Sequence, residues 1–409
     1  MCPVSPGGTA GAVARPRLEL ADIVRAHGDA YARRHRLVPV QHRALRAIAA
    51  CRTAVLGGHR ETCDRCGAVR ISYNSCRNRH CPKCQTLTKQ RWLAARRADL
   101  LPIPYFHLVF TLPHALNALA QGNPRILYTR LFRAAANTLL AFGRDPRQLG
   151  GTVGITAVLH TWGQNLSQHL HLHCLVTGGA LAPAGARWIP SRPGFLFPVR
   201  ALSRVFRAKY LDGLRAAFDA GQLAFADGTT DLADRATFLR FLTGLRRTDW
   251  VVYAKRPFAG PAQVLDFLGR YTHRIALSND RLVRLDDGFV QFRWKDYADQ
   301  DRSKIMTLAV DEFLRRFLLH VVPRGFLRIR HVGLLTNRRK REQLNRCRRL
   351  LHHPAPAIRM PESVADLVQR LTGIDLARCP VCGRGQMTVT SVLAPILPPL
   401  TIPRAPDTS

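Results

Sequence analysis

Residues 160–176 read HTWGQNLSQHLHLHCLV, and the second half of this segment alternates between histidine and apolar residues. Because alternate side chains of a β-strand share a face, the pattern predicts a strand with His169, His171 and His173 on one face. The preceding apolar run, GITAVLH, ends at His160 and predicts a second strand that returns antiparallel. Together the strands predict a catalytic divalent metal site with His160, His171 and His173 as ligands. The alternative is that these histidines are solvated or hydrogen-bonded strand residues.

The balance of charges indicates a polyanionic partner. The chain has 62 lysine and arginine residues against 27 aspartate and glutamate residues, a formal net charge of +35 in 409 residues. Such an excess destabilises a compact state by self-repulsion unless a polyanion neutralises it. Nucleic acid is the expected partner, because phosphate contacts supply most of the affinity of such complexes. The length predicts two or three domains.

The sequence predicts an intracellular protein without a membrane partner. Residues 1–16 are rich in small residues, Gly and Pro and lack an apolar core, so we expect a disordered N-terminus and no signal peptide. No apolar stretch reaches the roughly 18 residues that span a bilayer. The 11 cysteines are therefore expected to be metal ligands or buried thiols, and not disulfides.

Residues 63–84 carry the strongest local motif, CDRCGAVRISYNSCRNRHCPKC. Its two CxxC pairs, 14 residues apart, predict one structural zinc site, because four thiolates close a tetrahedral site around Zn²⁺. The predicted ligands are Cys63, Cys66, Cys81 and Cys84, with Cys76, His80 and His59 as alternates. Surrounding basic residues predict that this module contacts DNA, through Arg77, Arg79 and Lys83. Structural support of the next domain is the alternative role.

The remaining pattern predicts a mixed architecture. Strand and helix patterns do not alternate as regular units, so we expect an α+β fold with a mixed or antiparallel sheet covered by helices. The clearest strand patterns lie at residues 104–113, 150–160, 169–178 and 250–255. An amphipathic helix is expected over residues 306–321. The C-terminal region, residues 337–409, is basic and then Pro-rich, and its lone CPVC pair, Cys379 and Cys382, is weak evidence for a second metal.

Tyr271 is the predicted nucleophile. It lies in a helical pattern, PAQVLDFLGRYTHR, beside Arg270 and Arg274, which could bind phosphates. A tyrosine hydroxyl can attack a phosphodiester to leave a covalent phosphotyrosine, which keeps the ester energy for rejoining. The predicted DNA-binding residues therefore also include Lys255, Arg270 and Arg274.

The alternative for Tyr271 is a place in the core. It continues an apolar helical stripe, and a tyrosine in such a stripe is usually a packing residue. The other stripe residues are Val264, Leu268 and Ile275, and the rival tyrosines for catalysis are Tyr253 and Tyr297.

Three blocks of the sequence resemble a known family. The blocks CDRCG…SCRNRHCPKCQ, LHTWGQNL…HLHLHCLV and YAKRPF…VLDFLGRYTHRIALSN are similar to those of rolling-circle transposases of bacterial insertion sequences, the insertion-sequence ninety-one family. This family belongs to the HUH endonucleases, named for a histidine, hydrophobic residue, histidine motif. The resemblance covers residues 42–336 and keeps the family's order.

The resemblance implies an antiparallel HUH-type sheet flanked by helices, in a catalytic domain over residues 101–336, preceded by a helical and zinc-binding domain over residues 17–100. His171 and His173 match the HUH pair, and Tyr271 matches a family nucleophile. His160 falls where three-histidine relatives place another ligand, by analogy of spacing.

The implied activity is transposition of DNA. The family cuts single-stranded DNA at element ends with Mg²⁺ or Mn²⁺, leaving a 5′-phosphotyrosine and a free 3′-hydroxyl. Expected partners are those DNA ends, target DNA and a homo-oligomer, in the bacterial cytoplasm at the nucleoid. A zinc-finger DNA-binding protein with an inactive HUH-like domain is the alternative. A transposase that holds two metals with acidic residues is ranked last, because no acidic triad stands out among the 27 acidic residues.

One position departs from the family pattern. Many members carry two tyrosines four residues apart, whereas the first of them is Phe267 here. Two successive cleavages would then need another group, a second subunit or reuse of Tyr271. Single-tyrosine relatives associated with common-region elements exist, so the departure questions the two-tyrosine mechanism without implying inactivity.

Overall fold

The computed structural model describes residues 18–255, 258, 263–264, 269, 276–297, 299–353 and 362–396. Their strands are β1 (Gly58–Cys63), β2 (Val69–Tyr73), β3 (Tyr105–Thr111), β4 (Gly154–Trp162), β5 (Gln168–Thr177), β6 (Gly179–Leu181), β7 (Trp188–Pro190), β8 (Val252–Ala254), β9 (Leu282–Asp286), β10 (Phe289–Asp296), β11 (Arg302–Ala309), β12 (Ile329–Gly333) and β13 (Met387–Leu393). Their helices are α1 (Leu20–Arg34), α2 (Pro39–Ala50), α3 (Pro82–Arg97), α4 (Asn117–Gly122), α5 (Pro124–Arg144), α6 (Val199–Asp219), α7 (Arg235–Arg247), α8 (Val310–Leu319), α9 (Lys340–Leu350) and α10 (Val364–Thr372). Among these described helices, none has the length and apolar character to cross a bilayer.

A five-stranded sheet, in the order β12, β4, β5, β3, β8, forms the centre of the fold. All of its neighbouring strands pair antiparallel. The strands predicted at residues 104–113, 150–160 and 169–178 are present as β3, β4 and β5. With helices on its sides, this sheet confirms the predicted α+β class and its antiparallel architecture.

The two faces of the central sheet differ, as the alternation in β5 predicted. Leu170, Leu172 and Cys174 are fully buried in the main apolar cluster, together with residues of α5 and α6 such as Phe206 and Tyr210. Burying one such side chain stabilises the fold by about 1.5–3 kcal/mol. The core also fixes the register of β5, because a slip by one residue would turn every histidine towards the core.

The opposite face, which we call the histidine face, is flanked by two smaller apolar clusters. One of them contains Tyr105 and Leu175 from the sheet with Leu101 and residues of α9. The other contains Trp162 and Leu166, from the β4 end, with residues of α1, α2, α8 and β10. The first cluster packs α9 on the sheet and the second packs α1, α2, α8 and β10 beside it, and the histidines of β4 and β5 lie between the two clusters.

A second sheet, β11–β10–β9, packs with α8 and corrects one helix prediction. The expected helix over residues 306–321 begins only at Val310, because residues 302–309 form β11. All eight residues of β11 pair with β10, and this ladder overrides the local helical pattern. The helix then starts with Asp311 and Glu312 in its first turn, where carboxylates are stabilised by the helix dipole.

A third sheet joins the two ends of the chain. Its order is β13–β1–β2, so a C-terminal strand pairs antiparallel with the first N-terminal strand. The region expected to be only basic and Pro-rich therefore holds α9, α10 and β13 as well. Helix α10 is bounded by a Ser363 capping box and by Gly373 in the left-handed conformation, both standard helix-end signals.

Candidate metal centre and cysteine clusters

Three imidazoles meet on the histidine face where β4 turns into β5. His160 lies directly opposite His171 in the strand register, and His173 lies two residues further along β5. Ring centroids are separated by 5.3 Å for His160–His171, 4.5 Å for His160–His173 and 4.8 Å for His171–His173. One ring nitrogen of each residue lies within 4.8 Å of the other two, and all three side chains are buried. This histidine cluster fits a three-ligand divalent site with open coordination positions.

The contacts around the histidine cluster orient its rings. His171 Nδ1 lies 2.9 Å from the carbonyl oxygen of His169, and His173 Nδ1 lies 2.9 Å from His107 Nε2. These contacts leave Nε2 of His171 and His173 as the nitrogen that could bind a metal. The His160 ring stacks on Trp162 at 4.5 Å between centroids. Such outer partners hold a ligating imidazole in one tautomer and orientation.

Burial also sets the protonation state of these rings. Burial, with the charge of His169 as a smaller cause, lowers the pKa of His171 to about 3. Burial and the nearby Lys255 lower the pKa of His107 to about 3. Both rings are therefore neutral at neutral pH, which is the form that binds metals.

His107 is a residue that the sequence analysis missed. It lies on β3, in the segment PYFHLVFTLP, and the pairing of β3 with β5 brings its ring against His173. The two rings stack with centroids 5.1 Å apart and planes 22° apart. A single histidine in an alternating strand is the only local signal, and it becomes informative only when the strand partner is known.

Six cysteines of the N-terminal region do not form the single zinc site that was predicted. The first cysteine cluster consists of Cys51, Cys76, Cys81 and Cys84. Its Sγ atoms are 3.6 Å apart for Cys51–Cys84, 3.5 Å for Cys76–Cys84 and 3.6 Å for Cys51–Cys81. A tetrahedral site with Zn–S bonds of about 2.3 Å has edges of about 3.8 Å, so this cluster fits Zn²⁺.

The other two predicted ligands belong to a second cysteine cluster, Cys63, Cys66, Cys379 and Cys382. The β1–β2 hairpin explains the correction. Cys63 and Cys66 lie at the hairpin tip, whereas Cys81 and Cys84 lie at the start of α3, beyond the hairpin base. Strands of five or six residues separate the tip from the base by about 17–20 Å. A single ion cannot bridge that distance.

The structure also shows where the alternate zinc ligands lie. Cys76 belongs to the first cysteine cluster, as does Cys51, a cysteine after α2 that no sequence motif indicated. His80 is buried elsewhere, and burial with the charges of Arg328 and Arg79 lowers its pKa well below the usual value. His59 lies on β1 within 3.7 Å of Glu61 and is not part of either cluster.

Tyr271, Phe267, Arg270 and Arg274 lie outside the described residues. The described neighbours of this segment lie at both ends of the histidine face. Val264 belongs to the apolar cluster of Tyr105 and Leu175, and Ala276 and Leu277 belong to that of Trp162 and Leu166.

The two rival tyrosines are both exposed. The Tyr253 side chain, on β8, is 52% exposed and lies opposite Val109, which in turn lies opposite His173. The Tyr297 side chain is 65% exposed, and its hydroxyl accepts a 2.9 Å hydrogen bond from Gln164 in the β4–β5 turn.

Comparison with known proteins decides the family. The family described as "Putative transposase" matches residues 154–343, which include the histidine cluster. The family described as "Transposase zinc-binding domain", of the IS91 type, matches residues 23–112. The chain is 52% identical over 401 residues to "Putative transposase y4qJ" of Sinorhizobium fredii, with 97% of this chain and all of the relative covered. The chain belongs to the IS91-type transposase family. It is also 28% identical over 348 residues to "Transposase for insertion sequence element IS801" of Pseudomonas savastanoi pv. phaseolicola, covering 84% of this chain and 82% of the relative.

Membership of the IS91-type family confirms the resemblance and assigns a DNA substrate. A transposase of this family is a DNA-cleaving enzyme, and the zinc-binding domain agrees with a structural zinc held by cysteines. Neither matched range includes Cys379 and Cys382, although the structure places them beside Cys63 and Cys66.

The residues predicted to contact DNA differ in their exposure and in the protein groups that they already bind. Arg77 and Lys255 are exposed. Arg79 is half-buried and donates a 2.6 Å hydrogen bond to the carbonyl of Phe326, and Lys83 forms a 2.6 Å ion pair with Glu19. Arg77 and Lys255 are therefore the better candidates for phosphate contacts among the described residues.

Proposed function

We propose that this transposase nicks and rejoins single-stranded DNA at the ends of its insertion sequence, by rolling-circle transposition through a 5′-phosphotyrosine on Tyr271. The observation that carries the proposal is the histidine cluster, three buried imidazoles that meet on one face of a sheet in a DNA-processing enzyme. His160, His171 and His173 would hold Mg²⁺ or Mn²⁺, which polarises the scissile phosphate and orients it.

The chemistry of the step follows from the residues. The Tyr271 hydroxyl gives up its proton as its oxygen attacks the phosphorus, a tyrosine–phosphate bond forms, and the bond between phosphorus and the 3′ oxygen breaks. The leaving oxygen takes up a proton to become a free 3′-hydroxyl, and the 5′ end stays on the enzyme. Attack by a 3′-hydroxyl reverses the step and rejoins DNA.

The single tyrosine constrains the reaction cycle. With Phe267 in the place of a second tyrosine, we propose that Tyr271 acts twice or that a second subunit supplies the other nucleophile. Element ends and target DNA are the proposed substrates, at the bacterial nucleoid. We further propose that the first cysteine cluster holds a structural Zn²⁺ that fixes the β1–β2 hairpin base against α2 and α3.

The test is covalent trapping. The full chain is incubated with Mn²⁺ and a single-stranded oligonucleotide that spans the element end, and the adduct is located by mass spectrometry of the digest. We expect an adduct on Tyr271, its loss in Tyr271→Phe, and its retention in the matched controls Tyr253→Phe and Tyr297→Phe.

Two outcomes would overturn parts of the proposal. An adduct that persists in Tyr271→Phe removes this residue from the role. DNA binding without any adduct, with every divalent metal tried, would instead support a zinc-finger DNA-binding protein with an inactive HUH-like domain.

A further inference from the structure

The structure assigns a second zinc site to Cys63, Cys66, Cys379 and Cys382, which fastens the C-terminal strand of the chain to the N-terminal hairpin. This second cysteine cluster does not depend on the proposed cleavage chemistry. It also lies partly outside both ranges that match a family. Its ligands come from segments that flank the entire catalytic sheet in the sequence.

The sulfur positions fit a tetrahedral zinc site. Sγ atoms are 3.8 Å apart for Cys63–Cys382 and 3.7 Å apart for Cys66–Cys379, and all four lie within 4.8 Å of one another. The expected edge of a four-thiolate zinc site is again about 3.8 Å. A disulfide would need sulfurs about 2.05 Å apart, so the arrangement is that of four separate thiols.

The two CxxC segments are built as matching knuckles. Each is followed by glycine, in CDRCG and CPVCG, and both glycines have a positive φ, +69° at Gly67 and +65° at Gly383. Gly67 N–H donates to the Cys63 carbonyl at 3.2 Å, and Gly383 N–H donates to the Cys379 carbonyl at 3.0 Å. Two turns of the same construction, facing each other, are what a zinc site made of CxxC pairs requires.

Backbone N–H groups point at the sulfurs. Cys63 Sγ accepts from the amides of Arg65 and Cys66 at 3.4 and 3.5 Å, and Cys382 Sγ accepts from the amide of Gly385 at 3.3 Å. Such donors stabilise the thiolate form, which is the form that binds Zn²⁺.

The two CxxC knuckles pack directly against each other. A Cβ on Gly385 would lie 2.4 Å from Cys63 Sγ, so only glycine fits there. Asp64 pairs with Gln386 through two hydrogen bonds, one from Asp64 N–H at 3.1 Å and one to Asp64 Oδ1 at 2.9 Å. From Met387 onward, β13 continues as the partner strand of β1.

Hydrophobic burial cannot by itself hold this C-terminal strand. Its apolar cluster consists of the buried residues Cys63, Cys379 and Met387 with two partly buried neighbours. Further along β13, Val389 is 59% and Val392 is 82% exposed. Units with so small a core are commonly stabilised by a structural metal, so Zn²⁺ supplies the missing stabilisation here.

Metal counting on the full chain tests the assignment. Native mass spectrometry and elemental analysis, with the histidine cluster filled by excess Mn²⁺, should give two zinc ions per chain for the unaltered protein. The double variant Cys379→Ser/Cys382→Ser should hold one, and so should the first-cluster variant Cys76→Ser/Cys81→Ser. Cys347→Ala, which removes a buried cysteine outside both clusters, should keep two.

Zinc content and limited proteolysis test this site independently of the proposed cleavage activity. One zinc per chain in the unaltered protein, or two in the Cys379→Ser/Cys382→Ser variant, would overturn the assignment whatever the enzyme does with DNA. A folding defect does not obscure the count in the unaltered protein. Limited proteolysis should also release the C-terminal segment at least tenfold faster in the double variant than in Cys347→Ala, and equal rates would contradict a fastening role.

Discussion

Replacement of His107 with phenylalanine tests how the histidine cluster is positioned. The His107 ring is 2% exposed, stacks on His173 and lies 2.9 Å from its Nδ1. Phenylalanine keeps an aromatic ring in this place but removes the hydrogen bond. His173 then loses the contact that holds its orientation, and a buried ring nitrogen is left without this partner. We therefore expect weaker binding of the divalent ion and a folded protein.

The size of the expected loss in Mn²⁺ affinity follows from the role of His107 as an outer partner of His173. Loss of an outer hydrogen-bond partner of a metal-binding histidine typically costs about 10–100-fold in metal affinity or activity. This corresponds to about 1.4–2.8 kcal/mol at 1.4 kcal/mol per tenfold. Leaving a buried polar group unsatisfied costs about 1–3 kcal/mol of folding free energy, so the variant should also be less stable. The Mn²⁺ dissociation constant of His107→Phe should rise by about 10–100-fold.

The assay is Mn²⁺ titration followed by electron paramagnetic resonance of the free ion, alongside the cleavage rate at rising Mn²⁺. Cleavage by His107→Phe should recover at high Mn²⁺, and His107→Gln, which retains a polar group, should restore part of the affinity. His114→Phe is the matched control, because His114 contacts His169 at 3.2 Å and no member of the histidine cluster. Unchanged affinity in His107→Phe, or an equal loss in His114→Phe, would refute the positioning role.

Three further predictions concern a histidine of the cluster itself, an ion pair on α8 and a candidate phosphate contact. His173→Ala should lower the cleavage rate by more than about 100-fold, beyond the effect of a residue that only orients a ligand, while zinc content measured by mass spectrometry stays the same. Arg315 holds the pKa of the partly exposed Glu312 at about 2, so Glu312→Gln should cost about 0.5 kcal/mol in urea unfolding at pH 7. That difference should shrink as the pH falls from the unfolded pKa of 4.5 through about 2, because Glu312 becomes protonated and loses its charge over this range, and an undiminished difference at pH 2 would contradict the ion pair. Lys255→Ala should weaken binding to any single strand and lower the salt slope by about 1, whereas the exposed Lys209→Ala on α6 should change neither in a filter-binding titration.

The histidine cluster could be predicted because its pattern is local. Alternation over His169, His171 and His173 sets the face of the strand, and the turn after His160 sets the antiparallel return. His107 could not be predicted in the same way, because its role depends on which strand lies beside β5. Pairing across a sheet is decided by the tertiary core and not by residues near His107 in the sequence.

The two cysteine clusters show the same limit of sequence-based prediction. Each CxxC pair was recognisable, but the partner of each pair was not. The pair of Cys63 and Cys66 lies nearer in sequence to Cys81 than to Cys379, yet the β1–β13 ladder brings the distant pair into contact. In β11, likewise, pairing with β10 replaced the helix that local periodicity predicted. Local patterns gave the ligand types and turns, whereas strand pairing decided which turns meet.

The order of the ligands along the chain implies that the two cysteine clusters support each other. Cys51 precedes the β1–β2 hairpin and Cys76 follows it, so the first cluster closes the hairpin base, whereas Cys63 and Cys66 hold the tip. Without one of the two ions, the β13–β1–β2 sheet is fixed at one end only and can bend relative to α3. Strand β13 runs beside β1 from the tip, where Met387 lies opposite Cys63, to the base, where Leu393 lies opposite Gly58. Metal at both ends would therefore fix both ends of this sheet, and with them both ends of the C-terminal strand. Removal of the base zinc should therefore loosen the C-terminal strand as well, although none of its residues binds that ion.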